Sequence, residues 1–400
     1  MIPRRATRTL RQMAAGFPVL VLTGPRQSGK TTLARETFPH LPYVNLEDLD
    51  TRELAQSDPH RFLARLAGGA VLDEVQRVPQ LLSYLLGVAD ATREMGRWVL
   101  TGSQQFGRMD GITQSLAGRV GLLTLLPLCN AELHDRGDTL EQRLWTGGYP
   151  ALYTAGRALR PPHWFASYMA TYVERDLRQL LNVGNLGLFQ RFVGMCAARS
   201  GQLLNLSALA ADCGISQPTA RQWLTALQAS HLVTLLPPYH RNFGKRLVKT
   251  PKLYFLDTGL LCWLLRIASP EDLQIHAARG AVFETWVVGE ALKHRANLGL
   301  PPDLHFWRDN HGVEVDLLFE HAGRLHSVEC KSGTTYASDW MDMARRWRQA
   351  AGPEAAEPTL VYGGALSFER SDHRVVGWRS LGMGEAVTGG EREDGPPPKI

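Results

Sequence analysis

Lysine is scarce in this chain. Its 400 residues hold seven lysines against thirty-seven arginines, so a lysine at a position suited to chemistry draws notice. Cysteine is scarce too. Cys129, Cys196, Cys213, Cys262 and Cys330 are scattered and no C-x-x-C pair occurs, which points away from a disulfide framework or a zinc knuckle. Reduced, mostly buried thiols are expected. The thirteen histidines show no metal-ligand spacing. Long apolar runs are missing: stretches such as Leu122–Leu126 fall far short of the roughly 20 residues that span a bilayer. The basic stretch Met1–Arg11 is not followed by the apolar core of a secretory signal. A cytoplasmic protein with no membrane partner is expected. No internal repeat is found.

What is present has the balance of a globular protein, 44% hydrophobic and 21% charged. The length exceeds what one core ordinarily serves and predicts two or three domains. A net charge of +5 is compatible with nucleic-acid contact without requiring it.

Residues 1–135 alternate apolar strand-like runs (Phe17–Thr23, Ala70–Leu72, Trp98–Thr101) with helical patterns. That alternation predicts a parallel sheet sandwiched by helices. Residues 136–200 read as helical. Residues 201–265 carry a helix-turn-helix pattern: Leu206, Leu209 and Ala210 on a first helix, Cys213-Gly214-Ile215 as the turn, and Ser216 as N-cap of a second helix. The strand-like sequence that follows suggests a winged helix. Residues 277–385 open with a helix over Gly280–Arg295, followed by strand-like runs at Leu304–Arg308, Val313–Glu320 and Leu325–Lys331. Residues 386–400 lack apolar periodicity and are expected to be disordered.

Gly24-Pro25-Arg26-Gln27-Ser28-Gly29-Lys30-Thr31 fits G-x-x-x-x-G-K-[ST], with Thr32 following. The glycines let backbone N–H groups curl around phosphates, Lys30 reaches the β- and γ-phosphates, and the Thr31 hydroxyl ligates Mg²⁺. A helix starting near Lys30 adds its positive end. The motif lies between an apolar strand and an amphipathic helix, the context a P-loop needs. It predicts binding of a nucleoside triphosphate, ATP with Mg²⁺. About forty residues later, Ala70-Val71-Leu72 ends in Asp73, a Mg²⁺-associated acid, and Glu74, a base for the attacking water. Thr101 or Ser103, at the end of the next strand, could sense the γ-phosphate or hold the water. Arg119 is a candidate charge stabiliser in cis or in trans, and a trans role would need a homo-oligomer.

The series GPRQSGKTT, VLDEVQ, VLTGSQ, LAGRV and Gly147-Gly148-Tyr149-Pro150 resembles a bacterial and archaeal family of AAA+-type ATPases, described as AAA-14 ATPases with a DUF4143 C-terminal region. The resemblance covers about residues 8–380. It implies a RecA/AAA-like αβα core and ATP binding, and carries roles by motif match to Lys30, Thr31, Asp73, Glu74, Ser103 and Arg119.

Two further features bear on function. From Gly214 to Leu256 no acid occurs, while Arg221, Arg241, Lys245, Arg246, Lys249 and Lys252 do. A winged helix with a basic wing (Arg241, Lys245, Arg246, Lys249, Lys252) is a candidate phosphate-contacting surface, for DNA rather than RNA. The same module also serves protein packing elsewhere. Glu284, Asp316, Glu329 and Lys331 form the second feature. In Glu329-x-Lys331 a period of two puts both side chains on one strand face, and a hairpin would bring Asp316 beside them. The order resembles the PD-(D/E)xK nuclease fold, though Val315 stands where a proline usually precedes the acid. Such a cluster could hold Mg²⁺ for phosphodiester cleavage; a salt-bridged core strand is the alternative. The sequence thus predicts an ATPase whose nucleotide state is coupled to a winged-helix and nuclease-like module, acting on DNA. The rivals are a nucleotide-gated switch with little catalysis and an ATP-controlled metal-dependent nuclease.

Overall fold

The computed structural model describes residues 2–92, 94–102, 118–154, 159–171, 185–240 and 248–382. The predicted disordered tail, 386–400, lies outside them. The chain folds as two compact units. The first is Met1–Leu128 with Ala229–His231 and Ala296–Leu300; the second is Cys129–Gln228, Leu232–Arg295 and Pro301–Ile400. No helix among the described residues is long and apolar enough to cross a membrane. All five cysteines are free, and four are buried.

The first unit is built on five strands: β1 (Val19–Thr23), β2 (Tyr43–Asn45), β3 (Ala70–Asp73), β4 (Trp98–Thr101) and β5 (Val120–Thr124). Their order is β2-β3-β4-β1-β5, and every pairing is parallel. A parallel sheet is covered on both faces, so its central strands are apolar throughout. β1, Val-Leu-Val-Leu-Thr, is buried at every position. Its side chains divide by a period of two. Val19 and Val21 join Ala70, Leu72, Trp98 and Leu100 on one face, against Leu81, Leu82, Leu85 and Leu86 of a helix spanning Leu81–Thr92. Leu20 and Leu22 join Val71 and Val99 on the other, against Ala6 and Leu10 of α1 (Ala6–Ala14) and Leu33 and Ala34 of α2 (Lys30–Thr37). This is the predicted helix-sheet-helix sandwich.

The second unit begins with helices at Leu140–Thr146 and Pro161–Tyr168. Next come α3 (Leu186–Ala197), β6 (Gln202–Leu203), α4 (Leu206–Cys213), α5 (Gln217–Ala229), β7 (Val233–Leu236) and β8 (Lys252–Phe255). The three strands form an antiparallel sheet in the order β6-β8-β7. α4 ends at Gly214 in the left-handed region (φ 69°), where a missing Cβ removes the steric penalty. Two residues on, the Ser216 hydroxyl accepts the Thr219 N–H at 3.2 Å and caps α5. Trp223, Leu224 and Leu227 are the buried face of α5, as their helical spacing predicts.

After α6 (Arg279–Asn297) a six-stranded sheet closes the unit. Its strands are β9 (His305–Arg308), β10 (Glu314–His321), β11 (Arg324–Lys331), β12 (Thr359–Tyr362), β13 (Phe368–Glu369) and β14 (Arg374–Gly377). The order is β13-β14-β12-β11-β10-β9. β9, β10 and β11 are antiparallel neighbours, whereas β11, β12 and β14 are parallel. The parallel step from β11 to β12 needs a crossover, and α7 (Asp342–Ala351) supplies it, burying Trp347 against Trp307, Val315 and Leu318.

Candidate functional site

The P-loop lies where β1 ends and α2 begins. Gly24 has φ 139°, and a Cβ there would meet the Leu125 carbonyl oxygen at 2.2 Å, so only glycine fits. Gln27 is also left-handed (φ 62°), and Gly29, at φ 94°, precedes the first helical residue, Lys30. The loop closes on its own lysine. Lys30 Nζ donates to the carbonyls of Gly24 at 3.0 Å and Pro25 at 2.8 Å. Burial pushes this ammonium down to about 8, against the opposing pull of Glu74 and Asp73. The Ser28 hydroxyl is fully buried with no hydrogen-bond partner among the described residues. An orphaned polar group beside a buried lysine is what a site awaiting phosphate oxygens presents. Thr32 sits exposed on the first turn of α2.

Asp73, at the end of β3, is the hub of the site. Its Oδ2 accepts from Thr31 Oγ1 at 2.9 Å and from the Tyr43 hydroxyl at 2.8 Å. Its Oδ1 accepts from the Glu74 N–H at 3.1 Å and from the Thr101 hydroxyl. β4 lies between β1 and β3, which brings Thr101 to Asp73. Thr31 and Asp73 are adjacent oxygen donors, a set suited to Mg²⁺. Glu74 follows in the left-handed region (φ 55°), and its carboxylate accepts from the Gln76 amide. Burial, and then the Asp73 charge, raise the Glu74 carboxyl above its ordinary range.

Sequence reasoning missed three groups here. Tyr43 comes from β2, packed beside β3 in register with it. Arg4 donates to the Ser28 carbonyl and the Leu126 carbonyl, each at 2.7 Å, bracing the P-loop from the start of the chain. His231 belongs to the same unit. It is buried with no partner on Nε2 among the described residues, and burial followed by the Lys30 charge lowers it to about 4. Each is distant in sequence, and none falls in a motif.

The other predicted residues of this site fare differently. Ser103 lies outside the described residues. Arg119 is at the wrong end of the sheet for a role in cis. It precedes β5, whose Val120 pairs with Val19 in parallel, while the P-loop follows Thr23. Five strand residues, roughly 16 Å, separate the two ends. Arg119 instead pairs with Asp90 at 3.3 Å, a geometry that favours action in trans over action in cis.

In the second unit Glu284 of α6, Asp316 of β10, and Glu329 and Lys331 of β11 form one electrostatic neighbourhood. The antiparallel register that pairs Leu317 with Val328 sets Asp316 beside β11, where its Oδ2 accepts the Cys330 N–H at 2.9 Å. Lys331 Nζ lies 2.5 Å from Glu329 Oε1. Burial, then the charges of Glu329 and Glu284, raise Asp316 far above the usual carboxylate range.

One cation of the predicted basic wing, Lys252, is not where the sequence predicts it. Arg241, Lys245 and Arg246 lie outside the described residues, and Lys249 is exposed. Lys252 is no surface cation: its side chain is 4% exposed and paired with Glu284 and Glu314. A buried lysine cannot reach a phosphate, and the acid-free stretch in sequence concealed the acids that the fold brings to it. Two described residues that precede and follow 241–247 also bond to β9: Tyr239 N donates to the Phe306 carbonyl at 2.7 Å and Val248 N to the Arg308 carbonyl at 3.2 Å.

Among protein-family models, residues 16–134 match an AAA domain. Residues 137–271 and 279–381 match two domains of unknown function, DUF8612 and DUF4143. The uncharacterized proteins Rv2008c of Mycobacterium tuberculosis and Mb2031c of Mycobacterium bovis are each 35% identical over 382 residues, covering 94% of this chain and 83% of theirs. Among solved structures, a Walker-type ATPase of Pyrococcus abyssi is similar with a TM-score of 0.45 and 16% identity, covering 66% of this chain and 96% of that one. AMPPCP-bound DnaA of Aquifex aeolicus has a TM-score of 0.30 and 13% identity, covering 56% of this chain and 85% of that one.

Proposed function

This chain belongs to the family of the two mycobacterial proteins and carries the AAA domain of a P-loop ATPase; from that premise we propose that it hydrolyses ATP and couples nucleotide state to a DNA-contacting, nuclease-like second unit. The observation that carries the catalytic part is the contact of Thr31 with Asp73 at 2.9 Å, beside the buried Lys30. Lys30 exchanges the two loop carbonyls for β- and γ-phosphate oxygens. Thr31 and Asp73 hold Mg²⁺, which supplies charge neutralisation on those oxygens when bound. Glu74 takes the proton of the attacking water, its raised pKa bringing it closer to neutral pH. Ser103 orients that water. Arg119, too far for cis action, stabilises charge on the nucleotide of a neighbouring copy in a homo-oligomer.

Two arrangements support the coupled module. The chain order α3-β6-α4-α5-β7-β8 with sheet order β6-β8-β7 reads as a winged helix. Its third helix, α5, exposes Gln217, Arg221 and Gln222, side chains suited to the major groove. A helix, an antiparallel hairpin and a parallel crossover strand, carrying Glu284, Asp316, Glu329 and Lys331, read as the PD-(D/E)xK core. A divalent metal does not fit there: among the described residues no group of three or more His, Cys, Asp or Glu side chains is arranged to hold one. The proposal therefore includes no cleavage step.

The test is an ATPase assay with Mg²⁺ on wild type, Lys30→Ala and Glu74→Gln, with and without duplex DNA at two salt concentrations. Wild type turns over, Lys30→Ala loses binding, and Glu74→Gln binds but turns over at least about 100-fold more slowly. Binding without hydrolysis by wild type would replace this reading with a nucleotide-gated switch. DNA affinity indifferent to salt would remove the phosphate contact.

A further inference from the structure

Lys252 sits where the second unit gathers its acids. β8 carries it from the three-stranded sheet towards α6 and β10. Its Nζ lies 2.9 Å from Glu284 Oε1 and 2.5 Å from Glu314 Oε1, and 5.5 Å from the centre of the Phe306 ring. The next residue on the same strand face, Tyr254, donates its hydroxyl to Glu284 at 2.5 Å. Asp316 and Glu329 stand alongside, and the Glu329 Oε2 atom is buried without a hydrogen-bond partner among the described residues. Four carboxylates, Glu329 buried and the other three half-buried, thus gather around Lys252, with Lys331 on Glu329 and with Arg308, 3.1 Å from Glu314.

Buried carboxylates need a cation or a proton. Here the cation is covalently part of the chain. Burial pushes the Lys252 ammonium towards neutrality, but the charges of Glu284, Asp316 and Glu314 more than reverse this and hold it above its ordinary value. By drawing Glu284 and Glu314 onto one ammonium, Lys252 leaves no triad of acids free to converge on a metal. We propose that Lys252 is the resident cation of this carboxylate cluster, so that a divalent ion binds there only when the Lys252 ammonium is displaced or replaced. This holds whether or not the first unit hydrolyses ATP.

The test is Mn²⁺ binding to the full-length protein without nucleotide, followed by calorimetry and by the free-Mn²⁺ electron paramagnetic resonance signal. Five proteins are compared: wild type, Asp316→Asn, Lys252→Met, Lys252→Met/Asp316→Asn and Lys252→Arg. Wild type and Asp316→Asn should bind Mn²⁺ alike, because no site uses Asp316. Lys252→Met keeps the side-chain volume, removes the charge, and should gain a site at least about tenfold tighter than any in wild type. The double variant should lose it again. Lys252→Arg should bind Mn²⁺ no more tightly than wild type does. Binding in wild type that Asp316→Asn abolishes would overturn the proposal, as would folded Lys252→Met with no gain. If Lys252→Met does not fold, the pair of wild type and Asp316→Asn still decides: equal binding upholds a filled cluster, and an Asp316-dependent site overturns it.

Discussion

Raising the pH from 7 to 9.5 should strip the charge from Lys30 and, with it, most of the affinity for ATP. The lysine titrates at about 8 because it is buried. Phosphate oxygens need the ammonium, so binding takes the protonated form. Below about 8 that form dominates and affinity is flat. Above it, each pH unit removes a factor of about 10, or about 1.4 kcal/mol. At pH 9 the dissociation constant should be roughly tenfold that at pH 7. The stability of the empty protein should move the other way. Lys30 has a lower pKa folded than unfolded, so between about 8 and the usual lysine value of 10.5 the unfolded chain binds more protons, and rising pH favours the fold through this group. The assay is calorimetric titration with Mg²⁺ and a non-hydrolysable ATP analogue at half-unit pH steps, in two buffers of different ionisation heat. Binding above pH 8 should take up a proton, visible as a buffer-dependent enthalpy. Lys30→Met should bind more weakly and show no pH dependence in this window. A wild-type dissociation constant that stays within twofold from pH 7 to 9.5, without proton uptake, would show that the Lys30 charge does not govern binding.

Two substitutions probe how the P-loop is held. Gly24→Ala should cost about 2 kcal/mol or more and lower the melting temperature, since its Cβ would stand 2.2 Å from the Leu125 carbonyl oxygen at φ 139°; an unchanged melting temperature would contradict the tight approach. Arg4→Ala removes two charge-assisted bonds to backbone carbonyls at 2.7 Å and should weaken ATP binding by about 1 to 2 kcal/mol, roughly five- to thirtyfold. Equal affinities in a titration with a fluorescent ATP analogue would show that Arg4 does not brace the loop.

Local sequence determined much of the first unit. A P-loop needs its glycines, lysine and hydroxyl at fixed spacing because backbone N–H groups must wrap one phosphate chain, and that requirement is written in eight consecutive residues. The apolar strands of a two-sided parallel sheet, with acids at the end of β3, are also local. So is the order of helix, strand and hairpin that carries Glu284, Asp316 and Glu329. The placement of Arg119 was not local. Its distance from the P-loop follows from the parallel pairing of β5 with β1, which sends equal ends of the two strands the same way. Arg4, Tyr43 and His231 entered the first unit through contacts with residues far off in sequence.

Lys252 marks the boundary most clearly. By sequence it closes a run of cations with no acid within reach, and it reads as part of a phosphate-binding wing. In the fold it is buried against Glu284 and Glu314, 32 and 62 positions away. Sequence determines which charges a chain carries and their spacing along a strand or helix. Which charges meet, and whether water screens them, depends on the packing of distant elements, and that decided whether this lysine faces a ligand or neutralises an interior.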